Sequence, residues 1–501
     1  MGKDLPAGRS RAAEPDSGGP GTITALRSER GRNGPPPAVV AHLTPAERKA
    51  RGKTARHEVP RESHARFAPE VRLDPIDLLL EQATTRVPEL VPIRHGRMSV
   101  SPFTFYRGAA LIMAGDLAGT PTSGLDAQIC GDAHLSNFGL FGSPERHLIF
   151  DINDFDETSV GPWEWDVKRL AASLEIGGRA VGFTATDRRA AVLASVKAYR
   201  DTMRSFATMT NLEVWYAHID IEQMLPTIKA NIPPKRAKKF EKVLAKAKSR
   251  DSMQAYGKLT EQVDGQTRIV SQPPLIVPIR ELFGEEQLAR AEDEIAGILR
   301  AYRRTLATDR RHLLEGFRMI EVARKVVGVG SVGTRAWVVL MLGRDETDPL
   351  FLQVKEAEES VLERFAGKST YANHGQRVVA GQRLMQATSD IFLGWDRITG
   401  YDEVQRDFYF RQFRDWKGSL EIESMVPAGL SVYARLCGGT LARAHARSGD
   451  RIAIAAYLGK SDAFDQAIAA FSVAYADQNE RDYQAMLSAI ATGRLHSETG
   501  M

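Results

Sequence analysis

The run Gly328-Val329-Gly330-Ser331-Val332-Gly333 is followed by Trp337-Val338-Val339-Leu340, an apolar β-forming segment and not a helix. A dinucleotide-binding fingerprint needs a strand, then glycines, then a helix whose N-terminus meets the pyrophosphate. That order is absent here, so the glycines belong to a turn between two strands. A further β-rich segment, 350–355, ends in Lys355, 22 residues after Gly333. A lysine closing a strand often only guards an exposed sheet edge. What gives this one another meaning lies elsewhere in the chain.

The second group of residues is Cys130-Gly131-Asp132-Ala133-His134-Leu135-Ser136-Asn137, followed by Phe150-Asp151-Ile152-Asn153-Asp154-Phe155-Asp156-Glu157. The spacing places a carboxylate and a carboxamide five residues apart in a loop between short strands at 126–130 and 147–151. More carboxylates follow one strand later. One Asp-rich turn is usually only a turn, braced by its own side chains. Two in this order supply what phosphoryl transfer needs: an Asp to take the nucleophile's proton, and an Asn with a second Asp to hold Mg²⁺ against phosphates. A glycine hairpin with a lysine on a following strand completes the arrangement of protein kinases.

The texture along the chain is helical, then β-rich, then helical. Residues 1–66 carry 13 Lys/Arg against 7 Asp/Glu, and contain GGPG and NGPPP. They read as a disordered basic tail with a short helix at 45–51. The rest holds 54 Lys/Arg against 56 Asp/Glu, so the net +4 belongs to the tail and no nucleic-acid-binding face is expected. Residues 67–318 read as a helical part with a helical insertion, and 103–117 as one buried helix. Helices are also expected at 164–176, where Val167, Leu170, Ala171 and Leu174 give helical spacing, and at 187–209, 221–228, 234–247 and 285–307. Residues 319–425 read as β-rich, with strands at 321–327, 336–342, 350–355, 390–397 and 406–412. Residues 426–501 read as helices returning onto the first part. No apolar run approaches the roughly 18 residues of a membrane span. The two cysteines, Cys130 and Cys437, fit a reducing cytoplasm.

CGDAHLSNFG resembles the catalytic loop of aminoglycoside phosphotransferases and related small-molecule kinases, with Cys130 in place of their first His. NDFDETSVGPWEWD resembles their metal-binding segment, with Asp154 and Asp166 twelve residues apart. The wider string SPFTFYRGAA, CGDAHLSNFG, FDINDFDE, EWDVKRLAASL, VGVGSVGTR, LQVKEA and FRDWKGS is similar to the bacterial family called domain of unknown function 2252, over about residues 70–480.

The resemblance implies an α+β, protein-kinase-like two-lobed fold. The catalytic-loop lobe precedes the glycine-loop lobe in the chain, the reverse of the kinase order, which implies a circular permutation. LCGGTLARAHA, within 436–446, resembles the helix that leads into the catalytic loop of kinases. Asp132 is then the catalytic base, and Asn137 and Asp154 the Mg²⁺ ligands, with Asp151 or Asp156 as a further ligand. Gly328, Gly330, Ser331 and Gly333 cover the phosphates of ATP, and Lys355 pairs with them. Glu359 and Glu363 are the candidate acidic partners of Lys355. Arg107 either pairs with the site carboxylates or binds phosphate, His134 braces the loop, and Cys130 is packed. The implied function is an ATP- and Mg²⁺-dependent phosphotransferase acting on a small-molecule acceptor in the cytoplasm. The alternatives are AMP transfer on the same fold, or a nucleotide-binding regulator without turnover.

Overall fold

Helix Trp163–Ala180 is buried on every side from Trp163 to Gly178, although Glu164, Asp166, Lys168, Arg169, Ser173 and Glu175 all lie on it. A helix buried all round has no polar face to give to water, so each of those groups must find a partner in the protein. In this computed structural model the described residues are 42–67, 72–230, 234–326, 328–400, 402–413, 416, 418 and 422–498. Helices Ala185–Phe206, Pro427–Ser448 and Ala463–Ala491 pack around the central helix. Trp163 stacks on Tyr199 at 5.4 Å between ring centroids. Helices 427–448 and 185–206 approach so closely that a Cβ on Gly438 would lie 2.1 Å from the Ser195 carbonyl oxygen.

Four short strands carry the two Asp-bearing loops. They are β1 (Asp126–Ile129), β2 (Phe138–Gly142), β3 (Leu148–Ile152) and β4 (Ser159–Pro162). β1 pairs with β4 and β2 with β3, both antiparallel. Residues 130–137 therefore leave one pair and enter the other, and residues 153–158 return. Next come the hairpin β5 (Thr260–Val263) and β6 (Gln266–Ile269), then β7 (Ile276–Pro278). β8 (Arg318–Lys325), β9 (Ala336–Leu342), β10 (Pro349–Ala357), β11 (Gly394–Thr399) and β12 (Gln405–Gln412) complete a six-stranded antiparallel sheet of order β11-β12-β10-β9-β8-β7.

The period of two sorts this sheet's side chains. Val339, Met341, Leu350, Leu352, Val354, Phe408 and Phe410 join one core with Tyr302 and Leu306. Val338, Leu340, Leu342 and Phe351 join another, with Ala255, Leu259 and Ile269. Gln353 and Lys355 therefore share the face of Phe351, and in register they lie opposite Arg411 and Tyr409. Gln353, Lys355, Tyr409 and Arg411 thus form a cluster of polar and amphipathic side chains on neighbouring strands β10 and β12. Among the described residues, no helix is long and apolar enough to cross a membrane.

The mixed α+β class agrees with expectation, and several boundaries differ. The tail is not disordered through residue 66. Pro45–Glu58 is a helix closed by a capping box between Thr44 and Glu47, and His64 is buried against Tyr457 at 2.6 Å. Residues 1–41 of the expected tail lie outside the described residues, as does most of FRDWKGS. The single helix expected at 103–117 is two, Pro102–Gly108 and Ala110–Ala118, broken where Ala109 takes φ −105° and ψ 33°. β2 occupies what reads as loop, because Gly139 and Gly142 dilute its β signal. Strand β7 joins the six-stranded sheet, and the β5–β6 hairpin and helix Glu285–Arg303 pack against it, so these segments are not part of a helical region ending at 318. Asp264-Gly265, both at positive φ, is the two-residue turn that announces the β5–β6 hairpin.

Two glycines on helices should respond oppositely to a methyl group. Gly438→Ala forces the 427–448 and 185–206 helices apart and should lower stability by about 1–3 kcal/mol. Gly257, within Ser252–Leu259, has nothing within 4 Å of a built Cβ. Gly257→Ala should raise stability by roughly 0.5–1 kcal/mol. Thermal melts of the two variants check the pair, and a stabilised Gly438→Ala would contradict the close approach.

Candidate functional site

Three residues one to two turns apart on the central helix hold the loop 130–137. The Asp166 carboxylate accepts the Cys130 and Gly131 amides at 2.8 and 2.9 Å, with His445 Nε2 3.2 Å away. Arg169 Nε donates to Asp132 Oδ1 at 2.6 Å. Ser173 Oγ accepts the Leu135 amide at 3.0 Å. Arg169 is fixed in turn, its Nη2 donating to the Tyr106 carbonyl and its own carbonyl accepting the Tyr106 hydroxyl. Gly131 has φ +76°, and a Cβ there would meet the Glu157 carbonyl at 2.7 Å, so the two Asp-bearing loops touch at that residue.

The loops are also stitched through their amides. Asn137 Nδ2 donates to the Asp132 carbonyl at 2.8 Å, and the Asn153 amide donates to the Asn137 carbonyl at 2.8 Å. Asp154 Oδ1 accepts the Asp156 amide at 3.2 Å. Asp156 meets the sheet: Lys355 Nζ donates to its Oδ2 at 2.5 Å, and the Tyr409 hydroxyl to its Oδ1 at 2.6 Å. Arg411, opposite Gln353 and bonded to it, donates to the Asn153 carbonyl at 3.3 Å. Arg377, on helix His374–Met385, clamps the loop backbone by donating to the carbonyls of Asp156, Thr158 and Glu358.

Asp156, Lys355, Gln353 and Arg411 border one cavity of about 860 Å³, together with Asp132, Asn137, Asp154, Gly328 and Gly330. The turn between β8 and β9 faces them across it. Arg86 holds this turn from behind, donating to the Val332 and Gly330 carbonyls. Gly333, at φ +90°, does not border the cavity; its carbonyl accepts the Val87 amide at 2.8 Å. The Ser331 side chain lies outside the described residues. Asp151 departs from expectation. It is fully buried, accepts Arg443 Nη2 at 2.5 Å and the Ala387 amide at 2.8 Å, and is part of a structural ion pair away from the cavity. Glu359 and Glu363 are not partners of Lys355: Glu359 pairs with Lys368, and Glu363 accepts the Ser360 and Ser369 amides.

Burial pushes the Asp132 carboxyl above its ordinary range, against the pull of Arg169. Burial and the neighbouring Asp156 charge raise Asp154 too. Burial would also raise Asp156, but Lys355 and the Tyr409 hydroxyl overcome it and hold that carboxyl at about 2. Lys355 is raised by the same contact, despite its burial. His134 is buried and held neutral, its Nε2 3.8 Å from Asp132 Oδ2. Cys130 is fully buried, and its thiol is pushed well up. Among the described residues no three His, Cys, Asp or Glu side chains form a metal cage. Asn137 and Asp154 both border the cavity from these loops. One or two protein oxygens completed by phosphates suit Mg²⁺ better than a full protein cage would.

Arg169, Arg377, Tyr409 and Arg411 carry no expected role in the sequence reading. The alternation Phe408-Tyr409-Phe410-Arg411 is the signal for the last two, since it puts an aromatic hydroxyl and a guanidinium on the face opposite two core phenylalanines. Arg169 lies three residues after Asp166 on a helix, which places both on one face.

Glu157 gives the site a measurable pH response. Burial raises its carboxyl from an ordinary 4.5 to about 7, opposed by the Val361 amide that donates to it and by Arg377. Between those values the folded state binds more of a proton than the unfolded chain, so this residue's contribution to stability falls as pH rises. Glu157→Gln should flatten the decline in stability between about pH 4.5 and pH 7. Denaturation midpoints across that window measure it, and an unchanged slope would mean Glu157 titrates as an ordinary carboxyl.

No curated protein and no solved structure matches the chain. A model of the family described as "Uncharacterized protein conserved in bacteria (DUF2252)" matches residues 86–489. That span includes both Asp-bearing loops, the central helix, the glycine turn and Lys355, and this chain is a member of the DUF2252 family.

Proposed function

We propose that this protein is an ATP- and Mg²⁺-dependent phosphotransferase on a circularly permuted, kinase-like two-lobed fold, acting on a small-molecule acceptor. The observation that carries the reading is the Lys355–Asp156 contact at 2.5 Å. It joins β10, the second strand after the glycine turn, to the loop of Asp154, so elements that lie apart in the chain border one cavity.

The permutation draws support from helix Pro427–Ser448. Its last residue bonds to β1, with the Gln128 amide donating to Ser448 Oγ at 3.1 Å. A kinase chain would pass from this helix into the strand before the catalytic loop; here the two ends adjoin without being linked directly.

In the proposed reaction the acceptor hydroxyl attacks the γ-phosphorus of ATP. Its proton passes to Asp132 Oδ2, the oxygen that Arg169 leaves free. The bond from the γ-phosphorus to the β,γ-bridging oxygen breaks, and ADP leaves with that electron pair. Arg169 keeps Asp132 aimed, and burial keeps the carboxyl basic enough to take a proton. Lys355 meets the phosphates while Asp156 holds it charged and extended. Asn137 and Asp154 would hold Mg²⁺, which when bound neutralises charge on the phosphate oxygens.

The decisive experiment supplies Mg²⁺, a metabolite extract and ATP labelled separately at the α- and γ-phosphate. Phosphotransfer moves only the γ label. Transfer of the α label means AMP transfer, and no transfer with intact ATP binding means a regulator.

Asp132→Asn keeps shape but cannot take the proton, so turnover should fall by roughly 10²–10⁴ with ATP affinity within a few-fold. Asp154→Asn should abolish Mg²⁺-dependent nucleotide binding while leaving the melt unchanged. Lys355→Met alone leaves a buried carboxylate unpaired and should cost about 3–5 kcal/mol of stability. Lys355→Met with Asp156→Asn restores the fold, so any binding it still lacks reports on the lysine. Full turnover in Asp132→Asn would move the chemistry elsewhere.

A further inference from the structure

The segment SPFTFYRGAA has no part in the mechanism above, yet it ends on the cavity wall. Arg107 lies in the last turn of helix Pro102–Gly108 and borders the cavity. It faces the carboxylates of Asp132, Glu423 and Asp154, the first most strongly. Among the described residues it makes no hydrogen bond or ion pair, and its Nε is buried without a partner. Arg94 stands next to it, 1% exposed, and borders the same cavity. Arg94 Nη2 donates to Gln82 Oε1 and to the carbonyl of Gly108, the neighbour of Arg107, while among the described residues Nε and Nη1 have no partner. Arg86, which also borders the cavity, has an Nε without a partner among the described residues as well.

An unmet buried donor costs about 1–3 kcal/mol, and more when it is charged. Three guanidiniums on one wall, each with N–H groups that no described protein oxygen accepts, leave a demand that an oxyanion meets. The position along the cavity narrows which one. Lys355 and Arg411 already bring cations to the Asp154 and Asp156 end. Arg107 shares the cavity with Asp132, the carboxylate that acts on it most strongly, where an acceptor hydroxyl must come within hydrogen-bond reach. Glu423, its second neighbour, belongs to neither Asp-bearing loop.

We propose that Arg107, with Arg94 behind it, forms an anion subsite on the Asp132 side of the cavity, and that it holds a phosphate or carboxylate group of the acceptor. The assignment to the acceptor rests on the phosphotransferase reading; the anion subsite itself does not. The acceptor is then a small molecule with a hydroxyl to be phosphorylated and an anionic group a few bonds away.

Calorimetric titration of the full chain with inorganic phosphate, and separately with succinate, tests this in the absence and presence of saturating Mg²⁺ and the non-hydrolysable analogue AMP-PNP. At least one of the two anions should bind with the analogue present, and which one binds separates phosphate from carboxylate. Arg107→Gln should weaken that binding by about tenfold or more, the scale of one charge-assisted pair, and should change the affinity for AMP-PNP by less than about threefold. Among the described residues Arg107 has no hydrogen-bonded partner to lose, so the variant should melt close to the wild type; Arg107→Lys, which keeps the charge, should recover part of the anion affinity. Absence of binding by either anion, or binding indifferent to Arg107→Gln, overturns the subsite. Displacement of the anion by AMP-PNP places Arg107 on the nucleotide and overturns the acceptor assignment. Arg107-dependent anion binding by a protein that does not bind AMP-PNP keeps the subsite and rejects the phosphotransferase reading instead.

Discussion

The ion pair between Lys355 and Asp156 holds the two halves of the cavity at a fixed distance. The lysine side chain is 3% exposed and the aspartate 27%, so neither is well solvated without the other. Burying two charges is costly, and the cost is met only where geometry and further hydrogen bonds are good. Here Tyr409 donates to the second Asp156 oxygen, and Arg377 holds the Asp156 carbonyl. From that pair the connections run inward. The loop of Asp156 is bonded through Asn153 to Asn137, Asn137 to Asp132, and Asp132 to Arg169 on the buried central helix.

The same pair divides the labour among carboxylates. Asp154 and Asp156 are two residues apart and would repel if both were ionised in a buried place. Lys355 settles which one carries charge most firmly: Asp156 stays at about 2, and Asp154 is raised. Asp132 is separated from them by its own cation, Arg169. Neighbouring carboxyls whose environments push them apart in acidity are a recurring mark of acid–base and ligand assignments in active sites.

Much of this was legible in the chain. The glycine run followed by a strand excluded a helix at 334–342, because Trp337, Val338 and Val339 favour a pleated surface, and the strand Ala336–Leu342 lies there. The helix at 164–176 showed in its apolar spacing, and the pairing of Asp132 with Asn137 in one loop showed in their separation. The break at Ala109 was not legible, since Phe103 to Leu117 is apolar on most sides and periodicity alone carries no kink. Nor was the role of Asp151, which lies three residues before Asp154 in the same run and is taken instead by Arg443, 292 residues away.

The sequence by itself determined what is local: which segments are helix or strand, which side chains of β10 and β12 share a face, and which residues can accept protons or bind cations. It did so because periodicity, turn chemistry and side-chain type act over a few residues. Only the tertiary structure decided which of those groups meet. That Lys355 takes Asp156, 199 residues away in the chain, and neither Glu359 nor Glu363 follows from packing between distant elements. Contacts of that range are set by the burial of whole faces against one another, and no single segment carries enough information to specify them.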